Sequence, residues 1–230
     1  MYQRVLIKVS GEALSSEKSV ICRETVLKTA NMLKTVWQKG VQIGVVVGGG
    51  NIMRGRSAEG MERNRADHMG MLSTAINALA LQDALEQVGV PCTVLSAVDM
   101  ERFCESFSAR KAKDALQSGR VVVFACGSGC PFFSTDTAAA LRAAEIGADA
   151  LLLAKNVDAV YSADPKTDPG AVKYSRISYD RVVAENLRAT DLTAITLCKE
   201  QNIPIRVFAL SQIEQVFSDD SVGTHITGEN

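Results

Sequence analysis

The stretch VVVGGGNIMRG, Val45–Gly55, carries an apolar β-branched run straight into three consecutive glycines and then an arginine. Val45–Val47 read as the end of a buried strand. Three glycines follow a strand where another atom must come close to the backbone, or where a tight turn needs positive φ. Which of these holds bears on both fold and chemistry.

Similar runs recur at Arg4–Val9, Val41–Val47, Cys92–Leu95, Arg120–Ala125, Ala150–Leu153 and Ile205–Phe208. Each is too short for an isolated helix and is bounded by turn formers, so each is read as a buried strand. Between them lie helical patterns. Val26, Leu27, Ala30, Leu33, Val36 and Trp37 share a face before Gly40, and Met69, Leu72, Ala75, Ile76, Leu79 and Leu85 do the same before Gly89 and Pro91. Thr135–Ile146 and Leu192–Gln201 are two more helices, the second ending before Pro204. This alternation predicts an α/β sheet with helices on both faces. The proline-rich stretch ADPKTDPGAVKYS, Ala163–Ser175, is either a divide between two halves or a surface excursion.

Composition narrows the function. The chain has 230 residues, 47% hydrophobic and 22% charged, with a net charge of -1, so a long basic surface for nucleic acid is not expected and anion binding should be local. No window approaches the roughly 18 apolar residues of a membrane span. The start MYQRVLIKVS reads as a strand rather than a signal peptide, and a cytoplasmic protein is expected. The six cysteines form no C-x-x-C pair, and Cys126 and Cys130 have no histidine nearby to complete a zinc site. They are read as reduced structural thiols, with no metal held by the protein.

In open α/β sheets ligands sit beyond the carboxyl ends of the strands. After the first strand, KVSGEAL offers Lys8, Ser10 and Gly11: a cation beside a turn whose N–H groups can face phosphate, or a snorkelling surface lysine. After the second, Gly48, Gly49 and Gly50 can admit a phosphate to the backbone and Arg54 can fork two hydrogen bonds onto it. After the fourth, GSGCPFFSTD brings Ser134, Thr135 and Asp136 to a helix start, as an anion site or as a cap. After the fifth, AKNVDAVYSADP supplies a lysine, an amide, a tyrosine and aspartates that could enclose a base and ribose. The absence of G-x-x-x-x-G-K-[ST], G-x-G-x-x-G and G-x-S-x-G argues against P-loop, Rossmann and triad-hydrolase chemistry. His68 is read as a capping or packing residue.

At these residues the sequence resembles the amino-acid kinase superfamily, and within it the bacterial-type uridylate kinases, over about Arg4–Ile226. KVSGEAL and VVVGGGN are shared broadly, whereas ADHMGM at Ala66–Met71 and PFFSTD at Pro131–Asp136 are particular to the UMP branch. The resemblance implies one three-layer αβα sandwich around a mainly parallel sheet, spanning 1–230, with an acceptor lobe over about 1–147 and an ATP lobe over about 148–230. It implies transfer of the ATP γ-phosphoryl to UMP, with Mg²⁺ carried on ATP, in a homohexamer. Lys8, Val9, Ser10 and Gly11 would hold ATP phosphates, with Gly50 and Arg54 on the ATP side and Lys155, Asn156, Tyr161 and Asp164 at the adenine-nucleotide positions. Gly49 would touch UMP and Asp67 its ribose, while Ser128, Gly129, Cys130, Pro131, Phe132, Phe133, Ser134 and Thr135 would wrap uracil and phosphate.

Lys8, Arg54 and Asp136 are the catalytic candidates: Asp136 would orient Lys8 or a metal-bound water, unless it merely caps its helix. Asp67 has the same alternative, as cap of a helix starting near His68. Asp191 matches a family position that a helix cap explains equally well. The segment Ser15–Cys22 contains no glycine where the family carries a glycine-rich loop associated with GTP activation, which argues against that regulation here. Cys130, Ala159 and Ser134 also depart from the family's usual residues. UTP inhibition is compatible, since UTP could fill the UMP site. The rival readings are a superfamily kinase acting on a carboxylate or carbamate, and a nucleotide sensor that has lost turnover.

Overall fold

The computed structural model describes residues 2–53, 60–165, 167–187 and 190–228. Arg54 lies outside the described residues.

In chain order the strands are β1 (Arg4–Val9), β2 (Gln42–Val47), β3 (Cys92–Ser96), β4 (Glu105–Ser106), β5 (Val121–Ala125), β6 (Ala150–Lys155), β7 (Val160–Tyr161), β8 (Lys173–Tyr174), β9 (Arg176–Ser178), β10 (Ile205–Ala209) and β11 (Thr224–Thr227). The α-helices are α1 (Arg23–Trp37), α2 (Arg63–Gln87), α3 (Ala109–Gln117), α4 (Thr135–Ile146), α5 (Tyr179–Ala184) and α6 (Leu192–Glu200). Among the described residues nine strands form one sheet in the order β4-β3-β5-β2-β1-β6-β10-β11-β9, parallel except where β11 returns against β10. β7 and β8 make a separate hairpin, so the proline-rich stretch is a surface excursion and not a break in the sheet.

The central strands are apolar throughout because both faces are covered. The period of two divides their residues cleanly. Val5, Ile7 and Val9 join Ile43, Val45 and Val47 in the core that also takes Leu33 of α1 and Leu81 of α2. Leu6, Val46, Leu151 and Leu153 face the other way, against Ala139, Ala143 and Ile146 of α4 and Ile195 of α6. The same alternation puts Lys8 with Leu6, and Lys155 with Leu151 and Leu153, on the α4 side of neighbouring strands, where Lys8 pairs in register with Leu153. The chain leaves β1 first toward β2 and later toward β6 on the opposite side, so the carboxyl end of β1 is the topological switch point, the place where such sheets bind ligands.

The α2 reading needs correction. The helix begins at Arg63, earlier than the Met69 stripe indicated, and Met69, Leu72 and Ile76 of that stripe are exposed. Ala75 and Leu85 of the stripe are buried, but between Ala66 and Ala78 the buried face is small and partly polar, with Ser73, Thr74 and Asn77. His68 is exposed inside this helix and neither caps nor packs it.

The reason for the small face lies at the glycines. A Cβ on Gly49 would stand 2.8 Å from the Gly70 carbonyl, 2.9 Å from Ser73 Cβ and 3.2 Å from the Thr74 nitrogen. A Cβ on Gly48 would lie 3.1 Å from the Gly11 nitrogen. Neither glycine has positive φ, so the tight-turn explanation fails for both; the atoms that come close are the protein's own, from α2 and from the turn after β1. Gly49→Ala must push the α2 backbone away, and overpacking of this kind costs about 1–3 kcal/mol. A denaturant midpoint unchanged from wild type would contradict this packing role.

All six cysteines are free, and four are buried. Burial pushes the Cys92 and Cys198 thiols up to about 12, which keeps them protonated at neutral pH.

Candidate active site

Asp136 stands in the first turn of α4. It does not cap the helix: Ser134 does so, accepting from the Thr137 nitrogen at 3.2 Å. The Asp136 carboxylate is instead divided between two lysines, with Lys8 Nζ 2.8 Å from Oδ1 and Lys155 Nζ 2.7 Å from Oδ2. Thr190 Oγ1 donates to Oδ2 at 2.8 Å. Lys8 is 9% exposed and Asp136 8%, so Lys8 is not a snorkelling surface lysine. Burial on its own would raise the Asp136 pKa, but the Lys8 and Lys155 ammoniums outweigh it and hold the carboxyl well below the usual range.

Thr135, next to Asp136 in the chain, lines one cavity, and Lys155 of the trio lines a second. The first, of about 170 Å³, is lined by Gly49, Gly50, Asp67, Ser128, Cys130, Phe133, Ser134 and Thr135 from the predicted set. It also takes Met53, Gly70, Met71, Thr74 and Gly127, which the sequence reading did not name. Gly50, expected on the ATP side, thus lines this cavity beside Gly49. Thr74 also accepts no notice from pattern, yet its Oγ1 receives the Cys126 nitrogen at 2.8 Å and ties the following loop to α2. Asp67 sits in the second turn of α2, four residues after Arg63, so it is not the helix cap. Its Oδ2 accepts from Arg63 Nε and from the Phe132 nitrogen, both at 2.9 Å, which fastens the PFF loop to the helix. Gly129, Pro131 and Phe132 are not among the lining residues. Gly129, with φ of 81°, lies against Ala97, where a Cβ would meet the carbonyl at 3.0 Å.

The second cavity, of about 480 Å³, is lined by Lys155, Tyr161 and Asp164 from the predicted set, together with Val157, Ala159, Glu185, Asn186 and Leu187. Tyr161 Oη donates to Asp158 Oδ1 at 2.8 Å. Asn156 turns away, its Nδ2 donating to Glu12 Oε2 at 2.7 Å, and so links this loop to the turn after β1. In that turn Ser10 Oγ accepts from the Glu12 nitrogen at 3.4 Å, and the Val9 carbonyl accepts from the Gly48 nitrogen at 2.9 Å. The Val9 side chain is in the core, so only its backbone faces the switch point. Asp191 occupies the N-cap position of α6.

Among the described residues no group of three or more His, Cys, Asp or Glu side chains is gathered for a metal, and both Asp136 oxygens face lysines. No helix of the described residues is long and apolar enough to cross a membrane.

A lysine–carboxylate–lysine cluster at the switch point of a parallel sheet without a P-loop, with Lys155 lining one cavity and Thr135 another, is the arrangement of an α/β protein with a cationic ligand-binding centre. The model of the amino acid kinase family matches residues 3–209, and the chain belongs to that family. A uridylate kinase of Pediococcus pentosaceus is 48% identical over 99% of this chain and 98% of its own length. Among solved structures, UMP kinase from Bacillus anthracis superposes with a TM-score of 0.96 at 34% identity, covering 100% of this chain and 97% of that one. UMP kinase from Ureaplasma parvum gives 0.92 at 36% identity, with 99% of each chain covered.

Proposed function

We infer that the chain is a nucleoside monophosphate kinase that transfers the ATP γ-phosphoryl to UMP, giving UDP and ADP in pyrimidine nucleotide biosynthesis. The observation that carries this reading is the pairing of Lys8 and Lys155 on one buried carboxylate, with Lys155 lining one cavity and Thr135, next to the carboxylate, lining the other. The identity with uridylate kinases along the whole chain supports it.

A phosphate monoester has a second pKa of about 6, so the attacking oxygen of UMP is largely deprotonated at neutral pH and no general base is required. What the reaction needs is relief of repulsion between two polyanions and in-line placement. Lys8 supplies charge between donor and acceptor, and Asp136 holds Lys8 and Lys155 on the same side of the sheet. The first cavity takes UMP, with Asp67 on the ribose and the Ser128–Thr135 loop around uracil and phosphate. The second takes the adenine nucleotide, with Lys155, Tyr161 and Asp164, while Ser10 and Gly11 approach its phosphates. Arg54 and Gly50 complete the set at the glycine turn. Mg²⁺ enters as part of the Mg-ATP substrate, since Asp136 is engaged by lysines.

The acceptor lobe is mainly about 1–147 and the ATP lobe mainly about 148–230, with Lys8 and Asp136 serving both. The protein works in the cytoplasm as a homohexamer, and the exposed Met69, Leu72 and Ile76 stripe on α2 is a surface for contact between subunits. UTP inhibits by filling the UMP site, and the glycine-free Ser15–Cys22 segment argues against activation by GTP.

ADP release from Mg-ATP, with UMP offered against aspartate, glutamate and carbamate, tests the reading; turnover with a carboxylate acceptor and none with UMP would overturn it. A sharper expectation concerns Asp67. Its Oδ2 already holds Arg63 and Phe132, which leaves Oδ1 to meet the ribose hydroxyls. Loss of one hydroxyl costs roughly 1–3 kcal/mol, so dUMP should be phosphorylated with a kcat/KM lower by about 5- to 150-fold. Asp67→Ala should narrow that gap; an equal loss on both acceptors would remove the role.

A further inference from the structure

Asn77 is a polar side chain buried in the middle of α2, 0% exposed, with no part in the chemistry above. Its Nδ2 donates to the Gly48 carbonyl and to Asn51 Oδ1, both at 2.7 Å. Asn51 answers with its own Nδ2, which donates to Asn77 Oδ1 at 3.1 Å and to the Val20 carbonyl at 2.6 Å. The two amides face each other as a reciprocal pair. On its other side Asn51 presses on the turn after β1: a Cβ on Gly11 would lie 2.2 Å from Asn51 Oδ1 and 2.5 Å from the Gly48 carbonyl.

One pair therefore touches three pieces of the site. These are the turn with Ser10 and Gly11, the glycine turn after β2, and the helix that carries Asp67. A leucine could fill the space on α2 without desolvating an amide. What the amide adds is direction, because its donors reach the Gly48 carbonyl and Asn51 only when these two segments and the helix stand in one register.

We propose that the Asn51–Asn77 pair is a positioning device that sets the spacing between the ATP-side turn and the acceptor-side cradle. It governs the rate of transfer rather than affinity for either nucleotide. In-line attack requires reacting atoms about 3–3.5 Å apart, and a misplacement of about 1 Å costs about 10²-fold. Without the pair, the Gly48 turn moves relative to Gly11 while every group assigned to nucleotide contact is retained. The inference rests on the UMP kinase reading.

The test begins with wild type. UMP-dependent ADP release supports the underlying reading, and its absence overturns that reading and this proposal together. Asn77→Leu is then expected to lower kcat by about tenfold or more while KM for UMP and for ATP stay within about twofold. A kcat within about twofold of wild type, or a loss carried by KM, overturns the positioning role alone. Should Asn77→Leu fail to melt cooperatively, Asn77→Asp decides. Its carboxylate sets an acceptor against the Gly48 carbonyl, and protonation, favoured by burial, restores one donor. The ratio of variant to wild-type kcat should rise as pH is lowered from about 8 to about 6; a flat ratio overturns the proposal.

Discussion

Lys8→Ala is expected to lower kcat with UMP by about 10²–10³-fold, the scale on which removal of one preorganised charge from a transition state is felt. Lys8 reaches the site because β1 points its even-numbered residues toward α4, and because Asp136 stands 2.8 Å from its Nζ to hold it there. Alanine leaves the strand paired on both sides, since β1 bonds to β2 and β6 through its backbone. Stability falls as well, because the pair with Asp136 is lost, but Lys155 still holds that carboxylate and the fold should stay cooperative enough for turnover to be measured. Lys8→Arg should not restore the rate, because a planar fork cannot occupy the place of a compact ammonium between two phosphates. Coupled ADP release over a range of UMP concentrations measures this. A Lys8→Ala enzyme within about threefold of wild type would remove Lys8 from the reaction.

The second large effect is on stability. Asp136→Asn leaves the buried Lys8 ammonium and the half-buried Lys155 ammonium without the carboxylate they share, and breaking a buried ion pair costs about 3–5 kcal/mol. The amide keeps the shape, so a loss of this size reports charge and not volume. The pH dependence follows from the same carboxyl. Its folded pKa lies below the unfolded one, so its stabilising contribution is fully present above the unfolded value of about 4 and disappears only as pH falls through the folded value. Wild type should accordingly show no stability step from this group between about pH 5 and 8, and the difference between wild type and Asp136→Asn should shrink in acid. Equal denaturant midpoints for the two at neutral pH would contradict the shared-carboxylate account.

The sheet was legible where burial is complete on both faces. The run Arg4–Val9 became β1 with those bounds, and the other five apolar runs became strands with ends shifted by two residues at most, since β-branched sequences of that length have no better use. β4 and β9, at the edges of the sheet, and β11, between β10 and β9, escaped because strands of two to four residues are too short to carry a clear apolar signal. α3 escaped because ARKAKDALQ reads as charged until its buried face, Ala112 and Leu116, is known. α2 misled for the opposite reason: Met69, Leu72 and Ile76 are outside while Ser73 and Thr74 are inside, where they meet Gly49, and only further along do Leu81 and Leu85 bury large apolar side chains.

The site divides along the same line. Lys8, Asp67 and Asp136 could be named from their motifs, and so could Lys8 as a partner of Asp136, but not their other partners. Nothing in the spacing of Lys155 and Asp136 announces that they meet, because the contact joins the end of one strand to the start of a helix from elsewhere in the chain. Thr190, Asn51 and Asn77 were missed because a lone hydroxyl or amide has no periodicity. The three glycines were read as a phosphate cradle, and the structure adds that two of them are small because α2 and the Gly11 turn lie against them.

The most direct measurement is to follow the γ-phosphoryl of labelled Mg-ATP in the presence of UMP. The account predicts that the label appears as the β-phosphate of UDP, one for each ADP formed. Label recovered only as inorganic phosphate, or no transfer although both nucleotides bind, would contradict it and leave the two cavities as a sensor's binding sites.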